Sequence, residues 1–277
     1  MNMGDLAVQI PLVLALMAAG LTAGFAAGLF GIGGGFVVVP ALIAVYHYFG
    51  VDPSVITHVA VGTSLATIIV TSLRSVQAHA ARGVVDLEIL KSWAPWIVLG
   101  VIGGLVLAGS VKGQVLVLVF ATGVFIMGLH FVFPILERKN PVARDMPTGP
   151  LRAGLATFLG GFSALLGIGG GTIAILVMTS YGRSIHRAVA TAAGLGAIIA
   201  IPGAIGFAII GWGHASLPLG SIGYINILGA VAIAAMSYFT APLGVRAAHA
   251  LNAVMLKRAF GIYLLVTSAM MLREGLS

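Results

Sequence analysis

The chain has no cysteine and very little charge. Without thiols it can build neither a disulfide framework nor a thiolate metal centre. Asp, Glu, Lys and Arg together make up 8% of its 277 residues, against about 25% in an ordinary soluble domain, so no stretch is polar enough to form an aqueous fold of its own. Carboxylates are the scarcest charge. The seven, Asp5, Asp52, Asp86, Glu88, Glu137, Asp145 and Glu274, all fall at the ends of apolar runs or between them. A proton relay through an intramembrane carboxylate is therefore disfavoured. No Lys or Arg precedes Gln9, so the positive n-region of a cleaved signal peptide is missing. Gly-Lys-Thr and Gly-x-Gly-x-x-Gly phosphate motifs are missing as well, and neither a nucleotide nor any other cofactor is expected.

What fills the chain instead is apolar sequence: 60% of residues, with a mean hydropathy of +1.12. Ten apolar runs are bounded by charge, glycine or proline, at 6–30, 36–50, 55–73, 89–109, 114–135, 152–166, 172–181, 187–211, 221–245 and 251–272. They show no period-2 alternation, which excludes a transmembrane β-barrel and predicts an all-α polytopic membrane protein. The polar stretch 137–150 divides the runs five and five, giving a first repeat 1–136, a linker 137–150 and a second repeat 151–277.

The halves are copies. Gly28-Leu-Phe-Gly31-Ile-Gly33-Gly34-Gly35-Phe36 returns as Ala164-Leu-Leu-Gly167-Ile-Gly169-Gly170-Gly171-Thr172, 136 residues on. His58-Val-Ala-Val-Gly62-Thr63-Ser64 matches His186-Arg-Ala-Val-Ala190-Thr191-Ala192 at an offset of 128, because the first half has eight extra residues near Phe49 to Pro53. Gly83-Val-Val-Asp86 matches Gly223-Tyr-Ile-Asn226 at 140. Five segments per half is an odd number, so the second half starts from the opposite side of the membrane, as an inverted repeat requires. With the N- and C-termini outside and the linker cytoplasmic, twelve of the 14 Lys and Arg face inward and only Lys112 and Arg273 face out. The net charge of +7 is then a topology signal rather than a nucleic-acid footprint. The run 172–181 holds ten residues, about 15 Å of helix against about 30 Å of hydrocarbon, and is a candidate re-entrant arm with 152–166.

Each half carries Gly-Ile-Gly-Gly-Gly, where a helix should break, since each glycine costs about 1 kcal/mol relative to alanine. A break in hydrocarbon is tolerated only where protein buries it or it lines a cavity. Free N–H groups at the following helix start form a candidate anion site, made by Gly31, Gly33, Gly34 and Gly35 in one half and Gly167, Gly169, Gly170 and Gly171 in the other. Thr63, Ser64, Thr172 and Thr191 are candidate hydroxyl donors to the same anion. Arg74 and Arg187 are placed to attract anions or merely to set topology. The spacing Gly20-x-x-x-Gly24-x-x-x-Gly28 points to helix packing instead. Alanine at Gly34 or Gly170 is expected to weaken anion binding and spare the fold, and at Gly24 to do the reverse.

Gly-Leu-Phe-Gly-Ile-Gly-Gly-Gly-Phe-Val-Val-Val-Pro40, repeated in degenerate form and followed each time by an Ala-x-Gly-Thr-Ser type helix at Ala60 to Ser64 and Ala188 to Ala192, resembles the TauE/SafE family of sulfite and organosulfonate exporters. The resemblance covers nearly the whole chain and implies an inner-membrane carrier of a small anion such as sulfite, thiosulfate or a sulfonate. The second copy departs from the motif at Leu176, Ala190 and Ala192, so the binding site should be less symmetric than the fold. A passive anion channel would use the same breaks. Gly161-Phe-Ser163 with His249 offers a weak intramembrane serine-protease alternative, and the chain is read as a non-enzyme.

Overall fold

The computed structural model describes residues 3–30, 34–133 and 145–276. It contains ten helices among them: α1 (Met3–Phe30), α2 (Gly35–Tyr48), α3 (Pro53–Ala80), α4 (Leu87–Ser110), α5 (Gly113–Val132), α6 (Gly149–Leu166), α7 (Gly171–Ser180), α8 (Ile185–Ile210), α9 (Ile227–Ala250) and α10 (Ala253–Leu276). Six of them are long and apolar enough to cross a membrane. At 14 and 10 residues α2 and α7 reach about 21 and 15 Å, so neither spans alone. Gly31, Gly33 and most of the linker 137–150 lie outside the described residues.

Boundaries moved in two places for local reasons. The run expected to be helical from 221 opens as a short hairpin, Ser221–Ile222 against Ile225–Asn226, and its helix starts only at Ile227. Gly220 and Gly223 take φ of +76° and +54°, and Asn226 then caps α9 by accepting from Gly229 N–H at 2.8 Å. At the matching place Gly83 takes φ of +68° and Asp86 caps α4 from Ile89 N–H. The eight extra residues of the first half do not make a longer loop. They add a turn to the end of α2 and another to the start of α3, where Asp52 caps the helix and Pro53 takes its first position. Asp52 lies beyond the helix, and the Ser54 N–H it accepts at 2.9 Å holds its carboxyl below the ordinary carboxylate range.

Packing repeats with the sequence. α1 lies along α9 as α6 lies along α4; α3 meets α9 as α8 meets α4; α2 rests on α3 as α7 rests on α8. The equivalent pairs α3 with α8 and α5 with α10 touch each other directly, which places them about a pseudo-two-fold. The long seams rest on missing side chains. A β-carbon at Gly20 would stand 2.6 Å from the Ile233 carbonyl, one at Gly24 would enter Ser237, and one at Gly28 would enter Ala241. Gly100 and Gly104 lie as tightly on Thr157 and Gly161 across α4 and α6. Backbone approach of this kind is what small-residue helix interfaces supply in membranes.

Candidate functional site

Both breaks are built by glycine in the left-handed region. Gly34, with φ +82°, precedes α2, and Gly170, with φ +66°, precedes α7; neither helix start has a side-chain cap. Gly167, with φ +65°, ends α6. The breaks touch: a β-carbon at Gly35 would meet the Gly167 carbonyl and stand 2.9 Å from Ile168 Cα. Ser64 Oγ donates to that same carbonyl at 2.7 Å, tying α3 to the second break. Both helix starts lack a side-chain cap, the condition under which first-turn N–H groups and a partial positive charge are available to a ligand.

Of the hydroxyls singled out in the sequence, three are held by protein. Thr63 Oγ1 accepts from Asn226 N–H and Thr191 Oγ1 from Asp86 N–H, both at 2.9 Å, so each half uses its threonine to receive the backbone of the other half's helix cap. The same symmetry links His58 Nε2 to the Ala108 carbonyl and His186 Nε2 to the Ala248 carbonyl, both at 3.2 Å. Ser64 is bound as above. Thr172 differs. It is fully buried in the first turn of α7 with no partner for its hydroxyl.

Two serines that the sequence does not mark as donors to the anion share this condition. Ser163, one turn above the break on α6, and Ser72 on α3 are fully buried with unpartnered hydroxyls. A β-carbon at Gly170 would press on the Ile199 side chain and stand 3.0 Å from Ser163 Oγ; one at Gly196 would press on Ser72 Oγ and stand 3.3 Å from the Gly169 carbonyl. Ser72, Ser163 and Thr172 thus surround Gly169 to Gly171. Most helical hydroxyls in an apolar protein satisfy themselves on the carbonyl one turn back. Thr67, Thr179, Ser180, Thr240 and Thr267 do so here. The three at the second break do not, although each unmet group costs about 1–3 kcal/mol. Ser72 had a legible signal, since it lies eight residues after Ser64 and so on nearly the same face of α3. Ser163 had been noted only beside His249, and the structure sets them apart, with the His249 ring against His79 and His186.

The two arginines singled out in the sequence point elsewhere. The Arg74 guanidinium lies 4.6 Å from the centre of the Tyr238 ring, on the outward side of α9, and Arg187 is exposed. At the opposite end of the bundle Tyr224, in the hairpin, packs its ring 5.0 Å from His58 and 5.9 Å from His214, and burial raises its hydroxyl above the ordinary tyrosine value. Among the described residues no group of three or more His, Asp or Glu is placed to hold a metal.

The family model described as sulfite exporter TauE/SafE matches residues 16–271. A protein of Haemophilus influenzae named "Probable membrane transporter protein" is 32% identical over 256 residues, covering 92% of this chain and 96% of that protein. A second protein of that description, from Methanocaldococcus jannaschii, is 26% identical over 243 residues, covering 83% and 84%. No solved structure matches the chain.

Proposed function

The chain belongs to the TauE/SafE family and is a multi-pass membrane transporter; from that premise we propose that it carries a small oxidised-sulfur anion, such as sulfite, thiosulfate or an organosulfonate, across the cytoplasmic membrane. The observation that carries this reading is the set of three buried hydroxyls without partners, Ser72, Ser163 and Thr172, around the uncapped start of α7. Their O–H groups and the first N–H groups of α7 are neutral donors, and the helix start adds partial positive charge, so an oxyanion is the ligand that satisfies all of them at once. Gly169, Gly170 and Gly171 leave room for its oxygens to reach the backbone. With no full cation at the site among the described residues, binding is weak enough to be reversed, which a carrier needs.

Gly34 and Gly35 of the first break, with Ser64, hold the opposing wall, and Thr63 and Thr191 serve the joint between the halves. The two halves, 1–136 and 151–277 about the linker 137–150, then move against each other across the breaks. Export fits the family, and an inside-negative potential favours anion exit by about 2.3 kcal/mol per charge per 100 mV.

Purified protein in liposomes loaded with sulfite, thiosulfate, sulfoacetate, taurine or sulfate tests this directly. The expected result is saturable, exchange-stimulated flux of an oxidised-sulfur anion but not of taurine, whose ammonium group cancels the charge. Purely passive conductance would instead make the protein a channel. Orientation is tested in the same preparation, since the chain has no cysteine. An impermeant thiol reagent should reach Asp145→Cys from the cytoplasmic face only and Ala215→Cys from the other face only; labelling of both from one face would overturn the inverted topology.

A further inference from the structure

Three histidines that are distant in sequence meet at the end of the bundle that carries Arg74, Arg82, Arg187 and Arg246. His79 lies at the end of α3, His186 at the start of α8 and His249 at the end of α9. The rings of His79 and His249 lie 5.4 Å apart and those of His186 and His249 5.5 Å apart, and His249 Nε2 reaches His79 Nδ1 at 3.4 Å. The Ala248 carbonyl can only accept, so His186 Nε2 bears hydrogen and its Nδ1 remains basic. His79 is 1% exposed, and its Nε2 makes no well-aligned hydrogen bond, the Gly28 backbone of α1 being the ring's other polar neighbour. The one hydrogen shared with His249 cannot repair this. If His249 donates it, the Nε2–H of His79 is left with only the Gly28 backbone of α1 to meet; if His79 donates it, a buried lone pair is left.

Among the described residues nothing beside the cluster neutralises a proton. Arg82 faces both His79 and His249. Arg187 on α8 and Arg246 on α9 are exposed, Arg74 on α3 is turned onto Tyr238, and α1 brings the Gly28 backbone and no titratable side chain other than Asp5 near its far end. A proton that reaches His79 therefore places an imidazolium in a buried position among like charges, and the state that lets water reach it is favoured. The device is one-sided. At the repeat-related positions His186 corresponds to His58, but Phe207 and Gly109 stand where His79 and His249 would be.

We propose that His79, His186 and His249 form a proton-binding site whose occupancy opens this end of the bundle toward the Ser72 face of α3, making the proton the coupling ion of transport. His79 lies seven residues beyond Ser72, about 10 Å along the helix and on the same face, with Ser75 between them. Ser75 is fully buried and reaches the Ala27 carbonyl of α1. The proton site and the opening stand apart from the identity of the anion; the coupling rests on the carrier reading above.

The test is the accessibility of Ser75→Cys in the intact protein in lipid nanodiscs, at about pH 5.5 and about pH 8, on either side of the ordinary imidazole value of about 6.5. Thiol labelling should be at least about tenfold faster at the lower pH after correction for the thiolate fraction. His249→Gln, at a half-buried position, should flatten that dependence, and His79→Phe, which copies Phe207 of the other half, should do the same in a variant that keeps the volume. Labelling that ignores pH, or pH dependence that persists in both variants, overturns the proposal. In liposomes a pH gradient should drive thiosulfate uphill, and His249→Gln should abolish that drive while leaving exchange. Thiosulfate flux indifferent to the gradient overturns the coupling. PH-dependent labelling with no flux of any sulfur anion would instead keep the proton site and overturn the carrier reading.

Discussion

At the first break α2 starts behind Gly34 and turns Phe36 into the protein; at the second α7 starts behind Gly170 and turns in Thr172. Ala27 stands where Ser163 would be and Ala200 where Ser72 would be, all fully buried or nearly so. The backbone is shared and the polarity is not. Helix starts, left-handed glycines and close backbone contact are needed by the architecture in both halves, so by themselves they say nothing of a ligand. Buried hydroxyls left unmet are destabilising, and among the described residues those beside a break lie at the second one. The unpartnered hydroxyls beside the second break come from both halves, Ser163 and Thr172 from the one with the degenerate motif and Ser72 from α3, while the matching positions at the first break are apolar.

The largest expected effect comes from erasing that difference. Ser72→Ala, Ser163→Ala and Thr172→Val together should weaken anion binding more than about a hundredfold, from three hydrogen bonds at about 1 kcal/mol each. They should also raise the thermal midpoint, because unmet hydroxyls are removed from the core. The reverse change, Ala27→Ser in the first break, should leave affinity alone. Ligand-induced thermal shift with sulfite, set beside liposome flux, reads both quantities; a triple variant with wild-type affinity would move the site away from α7.

Alanine at the two capping glycines sharpens the comparison at smaller cost. The sequence-level expectation was that both substitutions spare the fold, but the left-handed φ values strain any side chain by about 1–3 kcal/mol. At Gly34 the new methyl would stand 2.8 Å from the Ala23 carbonyl, and backbone cannot yield easily. Gly34→Ala should therefore lower stability and leave the affinity of folded protein near wild type. At Gly170 the methyl meets the flexible end of Ile199 and enters the space beside Ser163 Oγ. Gly170→Ala should lose at least tenfold in affinity, about 1.4 kcal/mol, with the smaller loss of stability. Equal affinity loss in both would make the breaks one symmetric site.

Much of this fold was legible because its signals are local or repeated. Gly31 to Gly35 and Gly167 to Gly171 announce the breaks, Gly20, Gly24 and Gly28 announce a backbone seam, and the match of Gly83 to Asp86 with Gly223 to Asn226 carries over to two helix caps with the same left-handed glycine. The hairpin before Asn226 was missed because Ile222, Tyr224 and Ile225 are apolar enough to read as helix. The pocket was harder. Whether a hydroxyl is free depends on which acceptors other helices bring to it, and sequence spacing does not record that. Thr63 and Thr191 looked like ligands and meet backbone from the other half. Ser72 reads as an ordinary helix residue and Ser163 stands out only beside His249, yet neither hydroxyl has a partner.

The same two threonines give the smallest expected effect. Thr63 receives the N–H of Asn226, a residue only 5% exposed, and Thr191 receives the N–H of Asp86, which is half-buried. Valine at either position keeps the shape and removes the acceptor. At Thr63 the orphaned donor is shut off from water, so Thr63→Val should cost about 1–3 kcal/mol of stability; at Thr191 water can replace the lost partner, and Thr191→Val should cost about 0.5–1.5 kcal/mol. Neither should change anion affinity, since both hydroxyls serve the joint between halves rather than the space around Gly170. Denaturation in mild detergent orders the two variants by stability, and sulfite binding measured on the folded fraction separates joint from pocket. A loss of affinity in Thr63→Val comparable to that in Thr172→Val would bring the first half's helix into the site, and the two breaks would then have to be treated as one polar chamber shared between the repeats.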